Sequence, residues 1–269
     1  MSGGAVTGGR QGVGAEQPDQ SLRPATYRLD LAYEGTRFHG WARQPGLRTV
    51  QEVLEEALAT VLREPVRLSV AGRTDAGVHA WAQVASFTCG RRDVRPDLLR
   101  HSLNALLPPD VAVRELAPAP PGFVAREARS RTYRYRLWLA PVKPVAERAY
   151  VWNVRGAVDT RILGEVAALL PGHRDFAALT PSAHLYHNCV REVRAAAWSP
   201  DPGGEEWVFE ITAGSFLHNM VRVAVGSAVD VAQGRATAEE FAAALSDGER
   251  RRMGQTAPAR GLALVAVEY

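Results

Sequence analysis

An α+β fold built from two successive β-α-β-β-α-β units is predicted by three observations. Stretches with period-2 apolar alternation are separated by stretches with helical periodicity. The same order of elements occurs in both halves of the chain, and a proline-rich junction, PAPPGF at 118–123, lies between them. This order is the ferredoxin-like arrangement. Two mostly antiparallel sheets are expected side by side around a central cleft. The divisions are a flexible tail at 1–24, an N-terminal α+β domain at 25–118 and a C-terminal one at 119–269.

The tail is rich in Gly, Gln and Asp and has no apolar period, so it is set aside from the fold. From Tyr27 the segment YRLDLAY reads as a strand. Thr49 with Glu52 three residues on forms a capping box, and Val50, Val53, Leu54, Ala57, Leu58, Val61 and Leu62 then repeat on one helical face. After Pro65 come a strand VRLSV, a glycine-bounded loop AGRTDAG and an alternating strand VHAWAQVASF. A helix over Pro96–Leu107 and a strand VAVREL close the first unit. The second unit reads as strand 131–139, helix near 160–170, strands near 190–198 and 206–213, helix 216–232 and strand 262–268. A short helix over Ala238–Leu245, capped by Thr237 with Glu240, precedes the last strand.

With 269 residues, 46% of them hydrophobic, the chain can bury substantial cores and is neither disordered nor fibrous. Its two cysteines, Cys89 and Cys189, have no CxxC spacing, which argues against a disulfide framework and suits a reducing cytoplasm. No apolar run approaches the roughly 20 residues that span a bilayer. The net charge of +3 permits a polyanionic partner without requiring one. Lys143 is the lone lysine among 32 basic residues, so the arginine count reflects genome composition as much as phosphate binding.

Asp75 sits in AGRTDAGVHA between Gly72 and Gly77, a setting suited to presenting a carboxylate or, equally, to an Asx turn. Arg222 is the single charge between Phe216 and Val229 in a helix that is apolar nearly all round, so it needs an anionic partner. That partner is Asp75 across the cleft, held ionised by the pairing. Glu210 or Asp230 in a core salt bridge, or a snorkelling arginine, are the alternatives. In RSRTYRYRLWL, Arg131, Tyr133, Tyr135, Leu137 and Leu139 share one strand face, and Arg134 and Arg136 the other. Tyr133 can stack on an aromatic ring of a ligand, or the strand is merely amphipathic. His184, His187 and Cys189 lack a fourth metal ligand at a recognisable spacing, and no GxxxxGK[ST] loop occurs. No metal and no cofactor are expected.

Taken together, YEGTRFHGWARQ at 33–44, TVQEVLEEAL at 49–58, GRTDAGVHA at 72–80, RTYRY at 131–135, FLHNMVRVAVG at 216–226 and APARGL at 257–262 resemble the tRNA pseudouridine synthase A family from about Tyr27 to Tyr269. The resemblance implies isomerisation of uridine to pseudouridine at positions 38, 39 and 40 of the tRNA anticodon stem-loop. It implies Asp75 as the catalytic aspartate, Arg73 as a base-flipping and RNA-contacting residue, Tyr133 as the stacking tyrosine and Arg222 as the salt-bridge partner of Asp75. It further implies a homodimer, no small-molecule cofactor and no membrane. One stretch, FVAREARSR, departs from the family pattern: Glu127 and Ala128 stand where an aromatic and a serine are usual. The competing reading is a non-catalytic tRNA-binding or tRNA-folding protein on the same fold, and a glycosylase that releases free uracil is a further rival.

Overall fold

The computed structural model describes residues 1, 3, 4, 24–91 and 93–269. The tail expected over 1–24 lies almost wholly outside the described residues. The chain runs β1 (Ala25–Tyr33), α1 (Val50–Leu62), β2 (Ser69–Val70), β3 (His79–Cys89), α2 (Pro96–Leu106), β4 (Val111–Pro118), β5 (Ser130–Trp138), β6 (Trp152–Asn153), α3 (Thr160–Ala168), β7 (Gly172–Asp175), β8 (Val190–Pro200), β9 (Glu206–Ala213), α4 (Met220–Ala232), α5 (Ala238–Asp247) and β10 (Leu262–Glu268). It is a mixed α+β protein.

All ten strands form one sheet, ordered β4-β1-β3-β10-β5-β9-β8-β7, with β2 on β3 and β6 on β5. Most neighbours are antiparallel. The two halves meet where β10 runs parallel to β3, through only two residue pairs, Ala263↔His79 and Leu264↔Ala80. Further along β3, Ser86 and Ala85 pair with β2 instead. The side-by-side placement is therefore an edge-to-edge join, and the loop between β2 and β3 opens at that seam.

Local chemistry explains the elements. Thr49 caps α1 by accepting from the Glu52 amide, but only half of the expected box forms, because the Glu52 carboxylate turns to Arg43 at 3.4 Å. Thr237 and Glu240 make both halves of theirs and start α5. The helix read over 216–232 begins at Met220, because Asn219 takes a left-handed φ of 60° that breaks helical geometry. β6 and β7 carry no alternation long enough to be read from sequence. In β5 the alternation appears as burial, with Arg131, Tyr133, Tyr135 and Leu137 inward and Arg134 exposed. In α4 every residue except Arg222 and Asp230 is buried. One apolar core runs continuously through both halves, from Leu29 and Leu58 to Phe209 and Val229. A smaller cluster of Ala71, Val84, Ala125 and Ala128 lies under the start of the β2–β3 loop. Both cysteines are buried and free. No helix among the described residues is long and apolar enough to cross a membrane.

Candidate active site

The loop from Ala71 to Val78 is fixed through its backbone, which leaves its charged side chains free to point outward. Gln83 Nε2 donates to Gly72 O at 2.7 Å and to the Tyr33 hydroxyl at 3.2 Å. The Tyr33 hydroxyl also shares a hydrogen bond with Thr74 Oγ1 at 2.7 Å. Burial raises the Tyr33 hydroxyl to about 12, so it keeps its proton at neutral pH. The Trp41 amide donates to Thr74 O at 2.9 Å and the Gly77 amide to Phe38 O at 3.2 Å. The YEGTRFHGWARQ segment is thus the wall against which the loop is pinned, a role its sequence gave no sign of. Gly40, at φ +90°, allows the approach: a Cβ there would stand 2.8 Å from Thr74 O.

His79 ties the seam together behind the loop. Its Nδ1 accepts from the Gly35 amide at 3.0 Å, so Nε2 carries the hydrogen and donates to Ala149 O at 3.1 Å and Arg260 O at 3.0 Å. Burial pulls its pKa below the ordinary histidine value, which keeps this neutral tautomer.

On this frame Arg73 is exposed and Asp75 is 33% exposed. Among the described residues no backbone amide donates to the Asp75 carboxylate, so it does not close an Asx turn. Arg222 Nη1 approaches Asp75 Oδ2 at 4.0 Å, the outer limit of an ion pair. The guanidinium is held firmly on its other edges, donating from Nε to Ala257 O at 2.8 Å and from Nη1 to Asn219 Oδ1 at 2.7 Å. Burial lowers the Arg222 pKa and the Asp75 charge opposes that effect. The alternative partners are engaged elsewhere, Glu210 by Arg134 at 2.6 Å and Asp230 by Arg235 at 2.9 Å.

Tyr133 lies beneath the loop, 7% exposed, with its ring edge-on to Phe216 at 5.0 Å. Burial raises its hydroxyl pKa, with Tyr33 and Asp75 adding to the effect. Its hydroxyl would be 3.5 Å from a Cβ placed on Gly72. The four residues singled out from sequence therefore gather at one place, although Arg73 makes no ion pair among the described residues.

Two residues at the site carried no role assignable from sequence. His218 Nε2 stands 3.7 Å from Asp75 Oδ1, with its side chain 45% exposed. Arg131 is 7% exposed yet meets no carboxylate among the described residues. It donates instead to Ala71 O at 2.6 and 2.8 Å, Ala128 O at 2.5 Å, and Gly214 O and Arg126 O at 2.7 Å. This one fork fastens the start of the Asp75 loop, the turn at 126–128 and the segment leading to α4. The departing FVAREARSR stretch supplies backbone carbonyls to that fork, and its Arg126 and Glu127 side chains point outward. The only signals were the inward register of Arg131 and the position of His218 four residues before Arg222. His184 and His187 are exposed, and no three His, Cys, Asp or Glu side chains among the described residues are grouped to hold a metal.

Comparison with known proteins places the chain. The family model described as tRNA pseudouridine synthase matches residues 31–125 and 166–269. A protein of Pelobacter propionicus named tRNA pseudouridine synthase A is 41% identical over 245 residues, covering 91% of this chain and 99% of its own. The like-named protein of Solidesulfovibrio magneticus is 44% identical over 259 residues, 91% of each chain, and that of Geobacter sulfurreducens is 40% identical over 245, covering 91% and 99%.

Proposed function

The chain belongs to the tRNA pseudouridine synthase family, and we propose that it isomerises uridine to pseudouridine at positions 38, 39 and 40 of the tRNA anticodon stem-loop, with Asp75 as the essential carboxylate. The observation that carries the reading is Asp75 itself: a carboxylate one-third exposed at the sheet seam, facing Arg222 at 4.0 Å, on a loop whose backbone is bonded on both sides. The reaction breaks the C1′–N1 bond, turns the uracil and joins C5 to C1′, with no redox change and no energy input. An ionised carboxylate begins it either as nucleophile at C1′ or as base on the sugar. Arg222, pinned by Ala257 and Asn219, holds positive charge beside that carboxylate.

The target base must leave its stack, at a cost of a few kcal/mol. Arg73, exposed two residues from Asp75, is suited to fill the space the base leaves and to contact RNA. Tyr133 offers its ring as a stacking surface, a contact worth roughly 1–3 kcal/mol per base. A folded stem is recognised largely through backbone and shape. We assign no cofactor. The strand orders β4-β1-β3-β2 and β10-β5-β9-β8 support two ferredoxin-like units, at 25–118 and 119–269; family membership supports tRNA as the substrate, and we propose that the protein acts as a cytoplasmic homodimer.

The test is pseudouridine formation in unmodified tRNA with uridine at position 39, with no metal or nucleotide added. The wild type forms product. Asp75→Asn keeps its fold and its tRNA binding and forms none, because a near-isosteric neutral amide replaces the carboxylate. Normal turnover by that variant refutes the assignment, and tight binding without product from either protein moves the reading to a non-catalytic tRNA-binding protein.

A further inference from the structure

Resting on the isomerase reading, we propose that His218 is the group that removes the proton from C5 of the uracil after the new carbon–carbon bond has formed. The hydrogen bonds fix which imidazole nitrogen carries the lone pair. Arg222 can only donate, so the Asn219 side chain must turn its Oδ1 toward Arg222 Nη1, at 2.7 Å. The Asn219 Nδ2 amine then faces His218 Nε2 at 3.3 Å. An amide N–H meets a lone pair, so Nε2 is unprotonated and Nδ1 carries the hydrogen. Nδ1–H donates to Ser182 Oγ at 2.9 Å, while the His218 backbone amide donates to the Tyr186 hydroxyl at 2.9 Å.

The ring is thus held from both sides with a basic nitrogen turned toward Asp75, 3.7 Å from Oδ1. The groups around it are Asp75 from the loop, Asn219 and Arg222 from the start of α4, and Ser182 and Tyr186 from the segment before β8. Neither Arg222 nor the nearby Tyr133 is suited to serve as the base. Arg222 has no lone pair to offer. The Tyr133 hydroxyl holds its proton more tightly than that of a free tyrosine. Asp75 acts first on the sugar and, released when C5 joins C1′, stands opposite His218 Nε2 as the counter-charge for the imidazolium.

The chemistry needs such a base. Once C5 is joined to C1′, C5 still bears its hydrogen and C6 is double-bonded to N1. His218 Nε2 takes the C5 proton. The C5–H electron pair becomes the C5=C6 double bond, and the C6=N1 π pair moves to N1, which takes a proton from water. The imidazolium formed faces the Asp75 carboxylate and passes its proton to solvent along its exposed edge.

Single-turnover pseudouridine formation at saturating unmodified tRNA, with the target uridine carrying either hydrogen or deuterium at C5, tests this in the wild type, His218→Gln and His218→Phe. Both substitutions lie at a half-exposed position, and tRNA binding is measured in parallel. The expected result is a rate lower by about 10²-fold or more, unchanged tRNA affinity, and a slowing by deuterium that is larger in the variants than in the wild type. Rates within about twofold of wild type at saturation, or a slower rate with no added deuterium dependence, overturn the proposal. Failure of the wild type itself to form product overturns the isomerase reading and this one with it, and is told apart because the variants are then not needed to see it.

Discussion

Replacing Arg131 with methionine keeps most of the side-chain length and removes a buried cation that has five hydrogen bonds to four carbonyl oxygens. Hydrogen bonds from a charged donor contribute roughly 1.5–3 kcal/mol each. Their plain sum overshoots, because taking the guanidinium out of water costs several kcal/mol. The variant recovers that desolvation cost but leaves the Ala71, Arg126, Ala128 and Gly214 carbonyls short of a partner. A net loss of about 3–5 kcal/mol follows, the size seen when one side of a buried charged arrangement is removed. For a chain of this length that lowers the Tm by roughly 6–20 °C. Thermal unfolding followed by circular dichroism, at fixed protein concentration, measures it. Turnover falls as well, since the same fork joins the start of the Asp75 loop to the segment before α4. Arg131→Lys, which keeps the charge without the planar fork, is expected to fall between. A loss below about 1 kcal/mol in the methionine variant refutes the stabilising role of the fork, and a large loss with full activity refutes its link to the site.

Arg222→Ala leaves Ala257 O and Asn219 Oδ1 without their donor and Asp75 without its counter-charge, so it lowers both stability, by roughly 2–3 kcal/mol, and turnover; full stability with unchanged activity in urea unfolding and product assays breaks the proposed pairing. His79 gives a pH signature. Its folded pKa is depressed by burial while the unfolded chain titrates near 6.5. The unfolded state therefore binds more protons below that pH, so stability is full above about 6.5 and is lost as the pH falls, at no more than about 1.4 kcal/mol per pH unit. Denaturation of wild type and His79→Gln across pH 5–8 checks this: the variant lacks that part of the slope, and identical slopes contradict the buried neutral imidazole.

Much of the protein is legible without coordinates, where the signal is local. The i, i+3, i+4 spacing in TVQEVLEEAL, the Thr237–Glu240 box and the alternation through RTYRY each fix an element, because backbone hydrogen bonding and side-chain period operate over a few residues. The glycines about Asp75 mark a presented loop, and one charge in an apolar helix demands a partner for Arg222. What the chain alone left open was which partner. Glu210, Asp230 and Asp75 are equivalent as carboxylates, and only the tertiary structure, which brings β3 beside β10 and the start of α4 to the loop before β3, sets Arg222 against Asp75 while Arg134 and Arg235 engage the other two. His218 and Arg131 stayed hidden for the same reason. Their meaning lies in contacts with residues far away in sequence, and such contacts are decided by how the strands pair rather than by any period the sequence carries.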